Sequence, residues 1–430
     1  MGFYLGFPLT AVLFMFSVYV TIHGRGKGEL VGYYMEGFSK ALIVARMLIL
    51  IGINTSLWLS SGCIAGIIHY GAQFILPNFF LPICFLLCAG LSFMLGSAFA
   101  TTATMGIITY IIGCAGGVPP AMTAGAIISG VFVGDRCSFV ASSLILLSSL
   151  NDVPHRRAFE IAVKTSTIPM VISVLGYALL SHFCPLDISA LSRLGVLDKT
   201  FRIAPIVLLP ALFLLFSCLL KLRTVVTLCA SITAAVFLAL FYQGTPLYTL
   251  LLSMLKGFRL PPTHELYSVV RGGGALPMLS AIYILIISCS LASLIEKGGV
   301  LSLRFRALLR TSKRRNSLYL KSVIIGTAAA AIGCNQTVSI VTTSTLMDAP
   351  YKRAKVNNEE KLRDISFASV MMSVVVPWTL AVSVPLSMLS FKGLSYMPFM
   401  FFIISGPIYN FLWSFSKAAN RKRVSMRRVQ

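Results

Sequence analysis

Charge is what this sequence has least of. Asp, Glu, Lys and Arg make up 11% of its 430 residues, where a soluble domain carries about 25%. From residue 47 to residue 134 there is not one of them. A water-exposed surface cannot be clothed from that supply, so a soluble globular protein is excluded. The ten cysteines include no C-x-x-C pair, and the closest two are Cys84 and Cys88. They read as small core residues, not as a disulfide frame or a metal site. Absent too are a G-x-S-x-G elbow, an H-E-x-x-H pair, a P-loop and a dinucleotide fingerprint. ATP-driven pumping by this chain alone is excluded with them. Enzymatic chemistry would need a nucleophile–base pair or a metal set near the aspartates. His69, the one histidine in an apolar run of the first half, has no second histidine close to it and reads as an interface residue. The chain is not expected to be an enzyme. The opening MGFYLGFPLTAVLFMFSVYV lacks the basic stretch and A-x-A signal of a secretory leader, so it reads as a first transmembrane helix that is retained.

What is present is apolar. Hydrophobic residues are 57% of the chain, in runs that recur at the length of about 20 residues needed to span a bilayer as helix. The fold class expected is an all-α polytopic membrane protein with about ten to thirteen transmembrane or re-entrant helices, several of them interrupted. The net charge of +23 sits in short linkers between apolar runs, at 297–321, at 351–364 and from Lys417 onward. That is the positive-inside pattern of cytoplasmic segments. The lipid bilayer, and not nucleic acid, is the expected partner of the basic residues.

Two cytoplasmic linkers flank the segment 322–348, which must therefore enter and leave on the same side. Its centre reads TAAAAIGCNQTVSIVTT, and a re-entrant hairpin turning near Gly333, Cys334, Asn335 and Gln336 is expected. Non-helical backbone at membrane depth requires burial in protein or a polar cavity. The first half repeats the theme in LSFMLGSAFATTATMGI, residues 91–107. After each element comes an aspartate followed by a Ser-Phe pair: Asp135, Ser138 and Phe139, then Asp364, Ser366 and Phe367. The chain is read as two inverted-repeat halves, 1–185 and 203–416, joined by a polar connector at 186–202 and followed by a basic cytoplasmic tail at 417–430. Paired interrupted segments point to a transport site near the midplane.

Asp135, in GVFVGDRCSFVASSLILLS, is the acidic residue most clearly flanked by apolar sequence on both sides. An intramembrane carboxylate is a candidate functional group. It can hold a proton or a small cation but not both, which is the minimum chemistry of proton-coupled cation exchange. The alternative is an ion pair between helices, although its neighbour Arg136 would point away from it on a helix. Asp364 closes a charged loop and serves equally as a site residue or a solvated helix start. Ser97, Thr101 and Thr102 in one half, and Asn335, Gln336 and Thr337 in the other, offer the uncharged oxygens that hard cations take; small polar residues also permit close helix packing. Asn54, Thr55 and Ser56 form a third polar patch, and Trp58, Trp378 and Trp413 read as packing or interfacial anchors.

AGAIISGVFVGDRCS (124–138) resembles the NhaC-type sodium/proton antiporter family, in which a GAIISG stretch runs into a Gly-Asp-(Lys/Arg)-x-Ser element. IGINTSLWLSSG (51–62), HYG (69–71), GSAFATTATMG (96–106) and VPPAMTAGA (118–126) agree in order. GCNQTVSIV (333–341), KLRDIS (361–366) and VVPW (375–378) resemble the family's second-half elements. The resemblance implies an inverted-repeat secondary transporter that exchanges sodium for protons or, in some members, sodium-linked organic acids. It implies Asp135 and Ser138 at the cation site, with Asp364 and the Pro377–Trp378 pair as their counterparts. Two positions depart from the pattern. Phe139 stands where the family usually has proline, and Thr379 where it usually has asparagine. Without the proline, straightening of a helix broken in relatives is the expectation, because proline interrupts the hydrogen-bond ladder.

The expectation is thus a sodium/proton antiporter of the cell's inner membrane working by alternating access, with Na+ and H+ as transported substrates and no cofactor. Asp135, Ser138, Asp364, Ser97, Thr101, Asn335, Gln336 and Thr337 form the candidate cation and proton site. A sodium-coupled transporter of a small carboxylate or amino acid is the alternative, and a channel and a homodimer are left open.

Overall fold

The computed structural model describes all residues except 1, 23–26, 75, 188–200, 221, 223, 260–270, 299–314 and 428–430. Most of the polar connector and most of the basic linker at 297–321 lie outside the described residues, as do the tail's last three residues and the side chains from Lys417 onward. What is described is helical throughout apart from one short antiparallel pairing of Phe258–Arg259 with Arg271–Gly272.

The helices are α1 (Gly2–Ile22), α2 (Lys27–Ser60), α3 (Cys63–Phe74), α4 (Phe80–Leu95), α5 (Ala98–Ala115), α6 (Pro120–Cys137), α7 (Ser142–Leu150), α8 (His155–Phe183), α9 (Leu209–Leu219), α10 (Val225–Tyr242), α11 (Leu247–Lys256), α12 (Ala275–Gly298), α13 (Arg315–Gly333), α14 (Gln336–Arg353), α15 (Asn358–Val375), α16 (Leu380–Met388) and α17 (Phe401–Arg427). Among the described residues, the span ending in α4, together with α5, α8 and α10, is long and apolar enough to cross a membrane. The pairs α6–α7 and α15–α16 are long and apolar enough when each pair is taken as one span, bent by 43° and 46°. Shorter apolar helices at Thr10–Ile22, Ala45–Ser60, Pro205–Ser217, Leu247–Lys256 and Phe401–Phe415 accompany them.

The burial pattern of α8 is that of a protein dissolved in lipid. Its outward face carries Ile168, Val171, Ile172, Leu175 and Leu179, all exposed, at helical spacing. Its inward face is mostly small and polar: Ala158, Ala162, Ser166, Ser173 and Ser181 are buried, with Pro169 and Tyr177 between them. Lipid tails are as apolar as leucine, so large apolar side chains gain nothing by burial there, and small residues let helices approach. The chain is an integral, all-α polytopic membrane protein.

Two turns have the same backbone. Gly96 lies in the left-handed region at φ 65°, and Ser97 follows extended at φ −140°, ψ 116°. Cys334 lies at φ 51° and Asn335 follows at φ −144°, ψ 136°. Each extended residue caps the helix after it. Ser97 Oγ accepts from Ala100 N at 3.3 Å, and Asn335 Oδ1 accepts from Thr337 N at 2.9 Å. Such caps satisfy backbone donors that a helix start leaves unpaired. The turn expected near Gly333–Gln336 is therefore present, and α4–α5 and α13–α14 are hairpins.

The two ends of the α13–α14 hairpin meet one charged layer. Arg315 pairs with Glu360 and Asp364, Lys361 with Asp348 at 2.5 Å, and Arg157 with Glu359 at 2.9 Å. Both limbs thus start and finish on the side that positive-charge bias assigns to the cytoplasm. In this aqueous layer, hydrogen bonding from Arg157 holds the Glu359 carboxyl below its ordinary value.

One expectation is corrected. Phe139 in place of proline does not straighten the helix: α6 and α7 are separate, bent by 43°. The ladder is interrupted by a turn at Ser138–Ala141, in which Ala141 N–H bonds the Ser138 carbonyl at 3.2 Å. A β-turn's central positions accept most residues, so proline is one way to break a helix and not a requirement.

Candidate functional site

Helix α6 sets the position of Asp135. It begins with Pro120 in its first turn, where a missing N–H costs nothing, and packs against α4, α5, α8 and α17. Gly130 and Gly134, one turn apart, let α4 come close. A side-chain carbon on Gly130 would stand 2.7 Å from the Phe85 carbonyl, and one on Gly134 would overlap the Ser92 backbone. Asp135 follows directly and is half-buried in the last turn before the break.

Its neighbour Arg136 points the other way and is fully buried. The guanidinium donates from Nε to Ser366 Oγ at 3.1 Å, from Nη2 to Thr165 Oγ1 at 2.9 Å and from Nη1 to the Ala162 carbonyl at 3.4 Å, with Ser166 Oγ also in contact. It lies over the Phe367 ring, 3.7 Å from the centroid, a cation–π arrangement. Among the described residues no cation pairs with Asp135, so the ion-pair alternative has no support in the geometry.

Asp135 instead meets the opposite half of the chain. Gln336 Nε2 donates to its Oδ2 at 2.7 Å, a contact across 201 residues of sequence. The Asp135 main-chain carbonyl accepts from Ser143 Oγ beyond the break. Gln336 is the first residue of α14, placed by the Cys334–Asn335 turn. That turn is anchored in turn: Leu380 N–H bonds the Cys334 carbonyl at 2.9 Å, and Trp378 Nε1 bonds the Ala331 carbonyl at 2.7 Å. The site therefore consists of one hairpin tip facing the end of a broken helix.

Other candidates stand in different places. Asn335 is committed to capping, and Thr337 is exposed beside Gln336. Ser138 is buried at the end of α6, its Oγ accepting from Val140 N at 3.3 Å. Ser97 caps α5, and the Thr101 and Thr102 hydroxyls donate to the Ser97 and Ala98 carbonyls at 2.9 and 2.8 Å. The hydrogen bonds of Ser97, Thr101 and Thr102 all stay within α5 and its cap. The Asn54 side chain is buried, and its Oδ1 has no partner among the described residues.

Asp364 is not brought to Asp135. It is fully buried and receives four donors: Arg315 Nη2 at 3.3 Å, Arg363 Nη2 at 3.1 Å, Tyr351 OH at 3.2 Å and Asn410 Nδ2 at 3.0 Å. Arg363 also stacks on Trp413, 3.2 Å from the ring centroid. A carboxylate neutralised by two arginines and fully hydrogen-bonded holds helices together; it has neither charge nor lone pairs to spare for a cation. The expectation of a second site carboxylate at Asp364 is therefore set aside, because buried charges persist when paired in this way.

A profile of the Na+/H+ antiporter family matches residues 130–416, which takes in Asp135, Gln336, the break between α6 and α7 and the whole of the α15–α16 pair. The chain belongs to that family. It is similar to the malate-2H+/Na+-lactate antiporter of Bacillus subtilis, 26% identical over 95% of this chain and 91% of that protein. It is 25% identical to the Na+/H+ antiporter NhaC of Alkalihalophilus pseudofirmus over 95% of this chain and 89% of the relative. The Na+/H+ antiporter NhaC of Bacillus subtilis is 22% identical over 89% and 86%. The resemblance read from the GDRCS stretch is thus borne out at the level of the family. Arg136's hydroxyl cage and the Gln336 contact were not legible as pairs, since a single sequence carries no signal that joins residue 136 to residue 166 or residue 135 to residue 336.

Proposed function

We propose that this chain is a secondary antiporter of the cell's inner membrane, exchanging sodium for protons by alternating access at Asp135. The observation that carries the reading is the carboxylate–amide contact between Asp135 and Gln336. Asp135 supplies the single charge that a proton or a sodium ion neutralises in turn. The second carboxylate oxygen and the Gln336 amide oxygen make no hydrogen bond among the described residues, and both are the hard oxygen donors a sodium ion takes. The matched backbone of the two hairpin turns supports two related halves with the site at their junction.

The test is proton movement in proteoliposomes on adding sodium, with the native chain beside Asp135→Asn. Asparagine keeps the shape and still accepts from Gln336 but carries no charge. Sodium-driven proton flux in the native chain and its loss in the variant are expected. Equal flux in both would place the exchange site elsewhere.

A second reading is favoured by the similarity to a protein named a malate-2H+/Na+-lactate antiporter. An organic acid would be bound at the same hairpin tip, its carboxylate meeting the positive end of α14. Saturable sodium-dependent uptake of a labelled small carboxylate would support this reading, and silence across a broad acid panel would remove it.

A further inference from the structure

The turn that separates α6 from α7 is gripped from α8. His155 Nε2 lies 2.6 Å from the Phe139 carbonyl oxygen. That oxygen only accepts, so Nε2 carries the proton. Nδ1 lies 3.5 Å from Ser148 Oγ on α7. The Phe139 ring stands edge-on to the His155 ring at 4.6 Å and to Phe159 at 5.6 Å. Phe159 in turn lies 6.1 Å from Phe93, two residues before the end of α4. One aromatic patch in the first turns of α8 therefore touches both the break and the end of the first hairpin.

Phe139 and Val140 are the central residues of the Ser138–Ala141 turn. Asp135 lies one helical turn before it, and Ser143, just after it, returns its hydroxyl to the Asp135 carbonyl. Any slip of the turn therefore moves Asp135 relative to Gln336. Phe139 is itself half-exposed, so burial alone does not fix it.

We propose that His155 is a positioning residue for Asp135: it holds the Phe139 carbonyl and thereby fixes the broken end of α6 that presents the carboxylate. The transport part of this proposal rests on the antiporter reading. The structural part does not.

The test compares the full-length native chain with His155→Ala, His155→Gln, Phe139→Pro and the double variant His155→Ala/Phe139→Pro. Glutamine puts an amide N–H where Nε2 stands. Proline at 139 occupies the first central position of a β-turn, where its fixed φ is favoured, and the extended Ser138, at ψ 140°, accepts a following proline. The readouts are the sodium concentration for half-maximal proton flux and amide hydrogen exchange across residues 138–150.

His155→Ala is expected to raise the half-saturating sodium concentration about three- to tenfold, the loss of one neutral hydrogen bond, and to speed exchange in that segment. Glutamine at 155, or proline at 139 in the alanine background, is expected to restore both. A rescue by proline distinguishes positioning from a general need for histidine. Native half-saturation in His155→Ala overturns the proposal, and so does a defect that neither glutamine nor proline relieves. If the native chain moves no protons on adding sodium, the antiporter reading fails and exchange decides: faster exchange in His155→Ala reversed by proline supports the clamp, and unchanged exchange refutes it.

Discussion

Replacing Gln336 with leucine removes one hydrogen bond while keeping nearly all of the side chain's volume. The lost contact is the 2.7 Å bond from Nε2 to Asp135 Oδ2. A bond to a charged group contributes about 1.5–3 kcal/mol. Both side chains are half-buried, so solvent screening favours the lower part of that range, about 1.5–2 kcal/mol. Converted at about 1.4 kcal/mol per decade, this is a weakening of roughly 10- to 30-fold. The amide oxygen offered to sodium goes at the same time, which pushes in the same direction. Gln336→Leu is therefore predicted to raise the half-saturating sodium concentration in proteoliposome proton flux by that factor or more, with the Michaelis curve shifted and not flattened. Thr233→Val, a change to an exposed hydroxyl on α10 that bonds only within its own helix, serves as the control and should stay within about threefold of native. Unaltered sodium dependence in Gln336→Leu would refute the reasoning, because Asp135 would then act without the opposite hairpin.

Two further outcomes follow from the charged layer. Asp364→Asn leaves Arg315 and Arg363 buried beside a neutral group, and breaking a buried pair in this way costs about 3–5 kcal/mol. A fall in apparent Tm of roughly 10 °C is expected by size-exclusion thermostability in detergent, and a variant as stable as native would show that Asp364 is not structural. Glu359, by contrast, is depressed by an exposed partner, Arg157. Its contribution is present above the ordinary carboxylate range and lost as pH falls through the depressed folded-state value. Exposed pairs contribute about 0–1 kcal/mol, so Glu359→Gln should melt within about 2 °C of native at pH 7. A large loss at neutral pH would mean that this pair latches α8 to α15.

The interrupted hairpins were readable because their breaks are chemically marked. Glycine, asparagine and hydroxyl residues are gathered in mid-run at 96–102 and 333–337, where left-handed backbone and helix caps call for them. Asp135 was readable because the preceding run has no charge to hide it. Asp364 stood open between a site residue and a solvated helix start, because its nearest arginine in sequence, Arg363, gives no hint of Arg315, 49 residues away, or of Asn410 on the last helix. The α6–α7 break is likewise held from a distance. Its cause is not a helix breaker in the run but a turn steadied by His155, sixteen residues further on. Local chemistry marks where a helix stops only when the stop is made locally.

The glycines of α6 also limit how the molecule can move. With Gly130 and Gly134 set against Phe85, Ala89 and Ser92 of α4, no layer of side chains lies between the two helices to act as a bearing. The same is true where Gly326 of α13 meets the backbone of Ala368 in α15. Neither hairpin can slide along the helix it crosses without steric overlap, so each pair moves as one piece. Asp135 belongs to the first piece and Gln336 to the second. Rocking the two pieces apart would strain the Asp135–Gln336 bond together with the Arg136–Ser366 bond and the Arg136–Phe367 contact, so the seam that presents Asp135 is also the joint between the pieces.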